Sequence, residues 1–426
     1  MNIAYVVPEF VTEMKGGGLA TYINNIAHIL ANKGHVITII VKSEKNGSFE
    51  YDEKIFIERV NVDLSNVDIN LPGSIYRACS KKLNERLLYV HNNVRRIDVV
   101  QYANWSALGY YRTDIPTVVR ISSDWPYWRA ANRLDYSKDA LYECEKVTDY
   151  LEEIALMNAD KVFGPSDLFA GIISKRTGVD IDVIESPFEN KHITMDESVY
   201  EEKLCNRKYI FTYGSLNLLK GIKLIGDSIY RILKENKDCL YAFAGNDWGW
   251  QDECGKKVSA INYVKEHARE FADRVIYLGA LSREQLHPII SKAEMCVFPS
   301  RVDNLPNACI EAMAMGKIVI GTLNASFEQL IDNEENGFLI EKENVESLCS
   351  TIFAVNRLPD CEKECISASA KKRIEKIDSS KIGDETIELF NKVLKGKKIK
   401  ANKEYYNLIQ GKYKQLFAGF GDEIEV

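Results

Sequence analysis

The stretch FPSRVDNLPNACIEAMAMGKIVIGT, Phe298–Thr322, decides the fold. Its first residues end an apolar run that predicts a buried strand, and a polar loop follows. Pro306 suits the start of a helix, which the run Asn307–Met315 continues until Gly316 ends it. The β-branched run Ile318–Ile320 then predicts a second buried strand. Strand, loop, helix and strand in this order form the repeating unit of a parallel α/β sheet.

The same alternation continues along the chain in both directions. Short apolar runs predict strands that are buried on both faces of a parallel sheet, and longer amphipathic segments predict the helices between them. We predict strands at Ile3–Val7, Val36–Val41, Val99–Gln101, Val118–Ile121, Lys161–Phe163, Asp182–Ile184, Tyr209–Tyr213, Leu240–Ala244, Val275–Leu278, Met295–Phe298 and Ile318–Ile320. We predict helices at Leu19–Lys33, Asp139–Met157, Ile222–Lys234, Arg283–Lys292 and Asn307–Met315.

This pattern predicts an α/β protein with two Rossmann-like, doubly wound parallel-sheet domains followed by C-terminal helices. A length of 426 residues suits two domains. The polar, aperiodic segment Glu185–Asn206 predicts the boundary. We therefore assign residues 1–190 to an N-terminal domain and 191–400 to a C-terminal domain. Residues 401–426 are predicted to form a helix that packs back toward the N-terminal domain.

The composition is that of an ordinary soluble protein, with 46% hydrophobic and 27% charged residues and a net charge of −7. No basic excess indicates nucleic acid as a partner. The ten cysteines are scattered without a CxxC pair, which fits a reducing compartment and no zinc site. The first apolar run stops at Pro8 and reads as a strand rather than a signal peptide. We expect a cytoplasmic protein without a membrane span.

Two acidic residues mark the polar loop and the helix of the opening stretch. Asp303 lies just before the helix, and Glu311 lies inside it among Ala, Met, Ile and Cys. A carboxylate in an apolar helix is costly unless it has a partner, and a ligand hydroxyl pair such as that of a ribose is one. A solvated helix face explains Glu311 equally well on composition alone.

Two other segments suit the binding of an anion. Gly17 and Gly18 belong to the loop KGGGLATYINNIA, where bare backbone at a helix start can approach a phosphate; a flexible loop is the alternative. Lys220 opens a helix in YGSLNLLKGIKLI, where it can reach a phosphate or simply lie on the surface.

In this order, the three segments resemble the family 4 glycosyltransferases of GT-B architecture, and the resemblance covers nearly the whole chain. The strongest match is the acid–seven residues–Glu motif from Asp303 to Glu311, followed by AMAMG. The segments GSLNLLKG, AFAGND, RVIYLGALSREQL and SFEQLI…NGFLI also match. The resemblance implies two domains facing a cleft and retaining transfer of a hexose-type sugar from a UDP- or GDP-sugar, without a metal or other cofactor. The implied acceptor is a glycan or lipid-linked glycan of cell-surface polysaccharide synthesis.

The resemblance also implies roles for individual residues. Glu311 would bind the ribose hydroxyls, Asp303 the donor sugar and Lys220 the diphosphate. The other implied donor contacts are Gly17, Gly18, Ser215, Arg301, Asn304, Leu305 and Asn307.

The sequence departs from the family pattern at three positions. Ser215 stands where an arginine is usual, and Arg301 is a candidate substitute. Ser122 stands where many members have a catalytic histidine, and can still donate a hydrogen bond to a sugar hydroxyl. Asp303 is one methylene shorter than the usual glutamate.

Acceptor binding is expected in the N-terminal domain, at Arg120, Ser123, Asp124 and Trp125 beside Ser122. The basic, amphipathic segment Arg77–Arg96 suits peripheral contact with anionic lipid at the inner face of the plasma membrane, or a solvated helix face.

Two alternative functions use the same architecture. A sugar-nucleotide epimerase would need acid–base groups at the sugar, and Ser122 in place of histidine argues against it. A non-catalytic sugar-nucleotide-binding protein would tolerate the missing arginine and histidine.

Overall fold

The computed structural model describes residues 1–13, 17–69, 71, 73–111, 113–132, 140–188, 194–252, 254–396 and 411, with backbone alone for 140–145. The chain divides into two compact units. The first is Met1–Pro187 together with the chain from Ser379, and the second is Phe188–Asp378. The chain passes from the first unit to the second after Pro187, and this crossing lies inside the segment that the sequence predicted as the boundary.

The first unit is built on an eight-stranded sheet in the order β3-β4-β2-β1-β5-β6-β7-β8. Neighbouring strands are parallel except β3, which pairs antiparallel with β4 at the edge. The strands are β1 Asn2–Val7, β2 Val36–Ser43, β3 Gly47–Asp52, β4 Ile55–Asn61, β5 Val99–Ala103, β6 Thr117–Arg120, β7 Lys161–Gly164 and β8 Ile181–Val183. The helices between them are α1 Gly18–Asn32, α2 Ser74–Asn93, α3 Trp125–Asn132, α4 Ala140–Asn158 and α5 Asp167–Thr177.

The second unit contains a six-stranded parallel sheet in the order β14-β11-β9-β15-β16-β17 and a small sheet in the order β10-β12-β13. The strands are β9 Lys208–Tyr213, β10 Leu216–Asn217, β11 Cys239–Ala244, β12 Asp247–Gln251, β13 Lys257–Val258, β14 Val275–Tyr277, β15 Met295–Val297, β16 Val319–Thr322 and β17 Phe338–Ile340. The helices are α6 Ser198–Lys203, α7 Ile222–Glu235, α8 Ala260–Ala268, α9 Arg283–Lys292, α10 Asn307–Ala314, α11 Val345–Arg357 and α12 Asp360–Glu375. Parallel sheets in two domains confirm the predicted fold class.

The last helix corrects the predicted domain limits. Helix α13, Ser379–Leu394, belongs to the first unit, whereas the prediction kept the C-terminal domain running to residue 400. Its apolar side chains Ile382, Leu389, Phe390 and Val393 lie in the same buried cluster as the residues of α1 and β1. The predicted helix at residues 401–426 lies outside the described residues, residue 411 excepted.

Every strand and helix that was predicted within the described residues is present, but several elements were missed. Strands β3 and β4 were not predicted. Strand β3 lacks an apolar pattern because it is polar and exposed at the sheet edge. The small sheet was missed because β10 and β13 have two residues each. Among the described helices, none is both long and apolar enough to cross a membrane.

One close approach positions the loop that follows β9. Gly221 has φ +71°, and a Cβ atom there would lie 1.8 Å from the carbonyl oxygen of Pro299, just after β15. The loop therefore reaches its place only because residue 221 has no side chain.

We expect Gly221→Ala to destabilise the second unit by more than the ~1–2 kcal/mol of a left-handed backbone conformation, because backbone atoms must also move apart. The matched control is Gly279→Ala, which has φ +73° but no atom within 4 Å of the added Cβ. Urea unfolding of both variants measures the difference. Equal losses of stability would show that the contact with Pro299 imposes no constraint.

Candidate functional site

The loop between β9 and α7 presents a lysine in a fixed position. Gly214, with φ +116°, turns the chain at the carboxyl end of β9. The side-chain oxygen of Asn217 accepts a hydrogen bond from the backbone N–H of Lys220 at 3.0 Å. The carbonyl of Leu219 accepts one from the N–H of Arg301 at 2.7 Å, which ties this loop to the loop after β15.

Lys220 and Asp303 form an ion pair between these two loops. Lys220 Nζ lies 2.5 Å from Asp303 Oδ2. The side chain of Asp303 is 15% exposed and that of Lys220 37%. The Asp303 carboxylate also accepts bonds from the Ser300 hydroxyl at 3.4 Å and from the Asn304 N–H at 3.2 Å. The sequence predicted both charged groups but not their direct contact.

A small cavity surrounds this ion pair at the carboxyl ends of β9 and β15. Its polar lining includes Tyr213, Ser215, Lys220, Ser300 and Asp303, and Phe298, Pro306 and Ala308 supply apolar walls. Ligands in open α/β sheets bind at this edge of the sheet.

The turn into α10 is held in an unusual conformation. Leu305 has φ +59°, which is a strained region for a large L-residue, and its side chain is buried in the hydrophobic cluster beneath α10. Strain of this kind concentrates at ligand-binding turns. Asn307 is the exposed first residue of α10, and the N–H of Asn304 is bonded to Asp303 rather than vacant.

Glu311 lies on α10. Its neighbours on this helix, Cys309, Ile310, Ala312 and Met313, are buried in the core. Its side chain is 19% exposed, and its Oε1 atom lies 3.8 Å from Nη2 of Arg283. Burial raises the pKa of Glu311, and the charge of Arg283 lowers it in part. This small exposure argues against the alternative of a fully solvated helix face.

Arg301 does not occupy the predicted place. Its side chain is buried and pairs with Glu343 at 2.6 Å, and it does not line the cavity around Lys220 and Asp303. Ser215 is exposed and does line that cavity. Arg301 therefore does not replace the missing arginine in this arrangement, because its charge is already compensated.

Two family models match the chain on either side of the crossing at Pro187. A model described as Glycosyltransferase Family 4 matches residues 16–188, and one described as Glycosyl transferases group 1 matches residues 207–355. The chain belongs to the family 4 glycosyltransferases. Asp303, Glu311 and Lys220 all lie within the second match.

Similar proteins and structures agree with this family. An uncharacterized glycosyltransferase of Bacillus subtilis is 26% identical over 176 residues, which is 41% of this chain and 45% of that protein. The chain thus spans less than half of that relative's length. Sucrose-phosphate synthase from Thermosynechococcus elongatus has a TM-score of 0.74 at 15% identity, covering 92% of this chain and 99% of that one. The HepE protein of Anabaena, solved in complex with UDP, has a TM-score of 0.64 at 16% identity, covering 92% and 100%. These structures show that the glycosyltransferase has the GT-B fold.

In the first unit of the glycosyltransferase, the start of α1 faces a carboxylate of the protein itself. Glu9 Oε1 accepts a hydrogen bond from the N–H of Ala20 at 3.3 Å. A Cβ atom on Gly17 would lie 2.4 Å from the same oxygen. Burial raises the pKa of Glu9. Gly17 thus has a local structural role that the sequence did not reveal, and the predicted phosphate contact of Gly17 and Gly18 stays a prediction.

Arg120 is a core residue of the first unit. Its guanidinium stacks 3.6 Å from the ring centre of Tyr22 and donates to the Ser186 hydroxyl at 2.9 Å. It is 4% exposed. The buried guanidinium packs under α1, and the predicted acceptor contact of Arg120 stays a prediction.

Asn104 holds the segment that was predicted to contact the acceptor. Its side-chain oxygen accepts the N–H of Ser122 at 2.6 Å, and its amide nitrogen donates to the carbonyl of Ser123 at 2.7 Å. Trp125, the first residue of α3, packs edge-on against Trp128 with ring centres 6.1 Å apart. The predicted roles of Ser122, Ser123 and Trp125 stay predictions.

The carboxylate of Asp124 is hydrogen-bonded to other parts of the first unit. Its carboxylate accepts two bonds from Arg176, at 2.5 and 3.1 Å, and one from the N–H of Tyr127 at 3.1 Å, which caps α3. Its side chain is 4% exposed. Its oxygens serve α3 and α5, and the predicted acceptor contact of Asp124 stays a prediction.

The sequence missed Glu9, Asn104, Asn217 and Arg283. Asn104 and Arg283 support site residues from distant parts of the chain, whereas Glu9 and Asn217 lie near theirs in sequence but in loops without a recognisable pattern. The one local signal was Ser282-x-x-Gln285, a capping box that places Arg283 at the start of α9.

We expect Asp124→Ala to reduce the free energy of unfolding by about 3 kcal/mol, because it leaves a partly buried Arg176 without one of its carboxylates and uncaps α3. The neighbouring Ser123→Ala is the control and should have little effect. Chemical denaturation followed by circular dichroism measures both. Wild-type stability of Asp124→Ala would refute the structural role.

Proposed function

We propose that this glycosyltransferase is a retaining hexosyltransferase that uses a UDP- or GDP-sugar and extends a glycan or lipid-linked glycan in cell-surface polysaccharide synthesis. The observation that carries the proposal is the cavity in which Lys220 and Asp303 meet between two strand-end loops. Glu311, on the helix that follows, supplies the second acid of the family motif. Retention of configuration and the acceptor class rest on the family resemblance.

Lys220 would stabilise the leaving diphosphate. Cleavage of a sugar–phosphate bond concentrates negative charge on the diphosphate, and a fixed cation lowers the energy of that charge. Lys220 lies immediately before α7, whose first N–H groups carry partial positive charge. Asp303 would accept hydrogen bonds from hydroxyls of the donor sugar.

Donor binding would exchange partners at this ion pair. Without donor, the Asp303 carboxylate neutralises Lys220. A diphosphate carries more negative charge and more acceptor oxygens than a carboxylate, so it would take Lys220 and free Asp303 for the sugar. The carboxylate thus competes with the nucleotide for the same cation.

The Anabaena protein solved with UDP favours UDP over GDP as the first nucleotide to test. A thermal-shift screen with UDP, GDP and their sugars tests the proposal, since binding stabilises the folded state by roughly 2.7 kcal/mol at one hundred times Kd. Slow donor hydrolysis without acceptor supports a transferase. Conversion of the donor to its epimer without acceptor indicates an epimerase instead, and binding without any turnover indicates a non-catalytic protein.

The proposal includes peripheral contact with a membrane, because a lipid-linked acceptor is anchored there. Leu88, Tyr89 and Val94 are large exposed apolar residues on and just after α2, and Lys81 and Lys82 are exposed on the same helix. Several basic residues of this segment have partners within the protein: Lys82 pairs with Glu85, Arg86 pairs with Glu58, and Arg95 stacks on Phe56. Sedimentation with anionic vesicles tests this contact.

We expect Glu311→Ala to lose the thermal shift with free UDP or GDP, because the ribose hydroxyls lose their acceptor. Glu294→Ala, which removes a carboxylate of the same unit that does not belong to the motif, is the control. Retained nucleotide binding and full activity in Glu311→Ala would contradict the assignment of the site.

We expect Asp303→Asn to bind the free nucleoside diphosphate at least as tightly as the wild type, and to lose sugar transfer. The amide no longer competes for Lys220 but accepts fewer hydrogen bonds from the sugar. Isothermal titration calorimetry and a donor-hydrolysis assay measure the two effects. Much weaker nucleotide binding would show that Asp303 contacts the nucleotide itself.

A further inference from the structure

Arg283 is held beside Glu311 by the start of α9. Ser282 and Gln285 form a complete capping box around the first turn, so the backbone of Arg283 is fixed. Its guanidinium is 53% exposed and reaches across to the Glu311 carboxylate on α10. The two residues are 28 positions apart, and no local sequence pattern indicates that they meet.

The spacing of this pair differs from that of the structural ion pairs in the same unit. Arg283 Nη2 and Glu311 Oε1 are 3.8 Å apart, which is too far for a hydrogen bond. Arg301 and Glu343, by contrast, are 2.6 Å apart. Arg283 therefore compensates the charge of Glu311 while leaving its oxygens able to accept hydrogen bonds from a ligand.

The surroundings of Glu311 make this compensation important. Burial raises the pKa of Glu311, and Arg283 is the group whose charge lowers it. Tyr213, the other titratable group that interacts with Glu311, has a pKa raised well above its usual value by burial and stays neutral. His287, one turn along α9, interacts with Arg283, and burial lowers its pKa.

We propose that Arg283 is a positioning residue for the donor, which keeps Glu311 ionised and open to the two ribose hydroxyls. This rests on the proposed function, in which Glu311 binds the ribose. An ionised carboxylate can accept a hydrogen bond from each hydroxyl of a vicinal diol, whereas a protonated carboxyl has lost one of its acceptor oxygens. Removal of Arg283 then acts on the protonation of Glu311 rather than on a direct ligand contact.

The test measures UDP affinity between pH 5 and pH 8.5 in the wild type, Arg283→Ala and Arg283→Lys. GDP replaces UDP if the thermal-shift screen selects it. Wild-type affinity should fall as the pH decreases through the pKa of Glu311. In Arg283→Ala that pKa rises further, so the fall should begin at higher pH, with affinity about two- to fivefold weaker at the acidic end of the range and close to wild type at pH 8.5. Arg283→Lys should restore much of the wild-type profile.

The matched control is Arg231→Ala, which removes an equally exposed arginine from a surface pair with Glu346 on another face of the same unit. It should leave the profile unchanged. A second readout is 2′-deoxy-UDP, whose discrimination from UDP should shrink in Arg283→Ala at the acidic end of the range and recover at pH 8.5.

Three outcomes decide between the proposals. If Glu311→Ala abolishes binding but Arg283→Ala follows the wild type at every pH, the role of Arg283 is refuted and the proposed function stands. If Arg283→Ala weakens UDP equally at all pH values, Arg283 contacts the ligand directly and the positioning role is refuted. If the wild type binds no nucleotide, the proposed function fails and this role fails with it.

Discussion

The close approach of Gly221 to the carbonyl oxygen of Pro299 is the constraint on which the candidate site depends. It joins the loop after β9 to the loop after β15, which are adjacent strands of one parallel sheet. Because the loops touch, Lys220 and Asp303 can pair although they are 83 residues apart in sequence. The backbone contact and the ion pair together shape a cavity at the edge where parallel strands end.

The charged groups of the second unit differ in how they are paired within the protein. Arg301 pairs with Glu343 within the protein. Asp247, on β12, accepts a hydrogen bond from the N–H of Ala260 at the start of α8. Both contacts fix loops of this unit. Under the proposed function, Lys220, Asp303 and Glu311 each have a partner that the ligand would displace or share. Distance sets apart only the pair of Arg283 and Glu311 at 3.8 Å, since Lys220 and Asp303 are as close to each other as Arg301 and Glu343 are.

The fold could be predicted from sequence because its strands and helices leave local patterns, and a local pattern also marked the candidate site residues. Apolar runs marked the central strands, and the spacing of Asp303 and Glu311 marked the motif. The partners of Arg120 and Asp124 within the protein could not be predicted, because a charged residue at a strand end looks the same in sequence whether or not it faces a distant arginine or tyrosine. Asn104 and Arg283 were missed because their partners lie on other elements. Helix α13 was assigned to the wrong unit because an amphipathic helix does not specify which core covers its apolar face.

That last helix has a consequence for the order of folding. The core of the first unit includes Phe390 and Val393, which are made after all of Phe188–Asp378. On the ribosome, the second unit therefore has its complete sequence before the first unit can close its core. The nascent first unit must wait with an uncovered apolar face beside α1 while roughly two hundred further residues are synthesised, so premature release of the chain would harm the first unit more than the second.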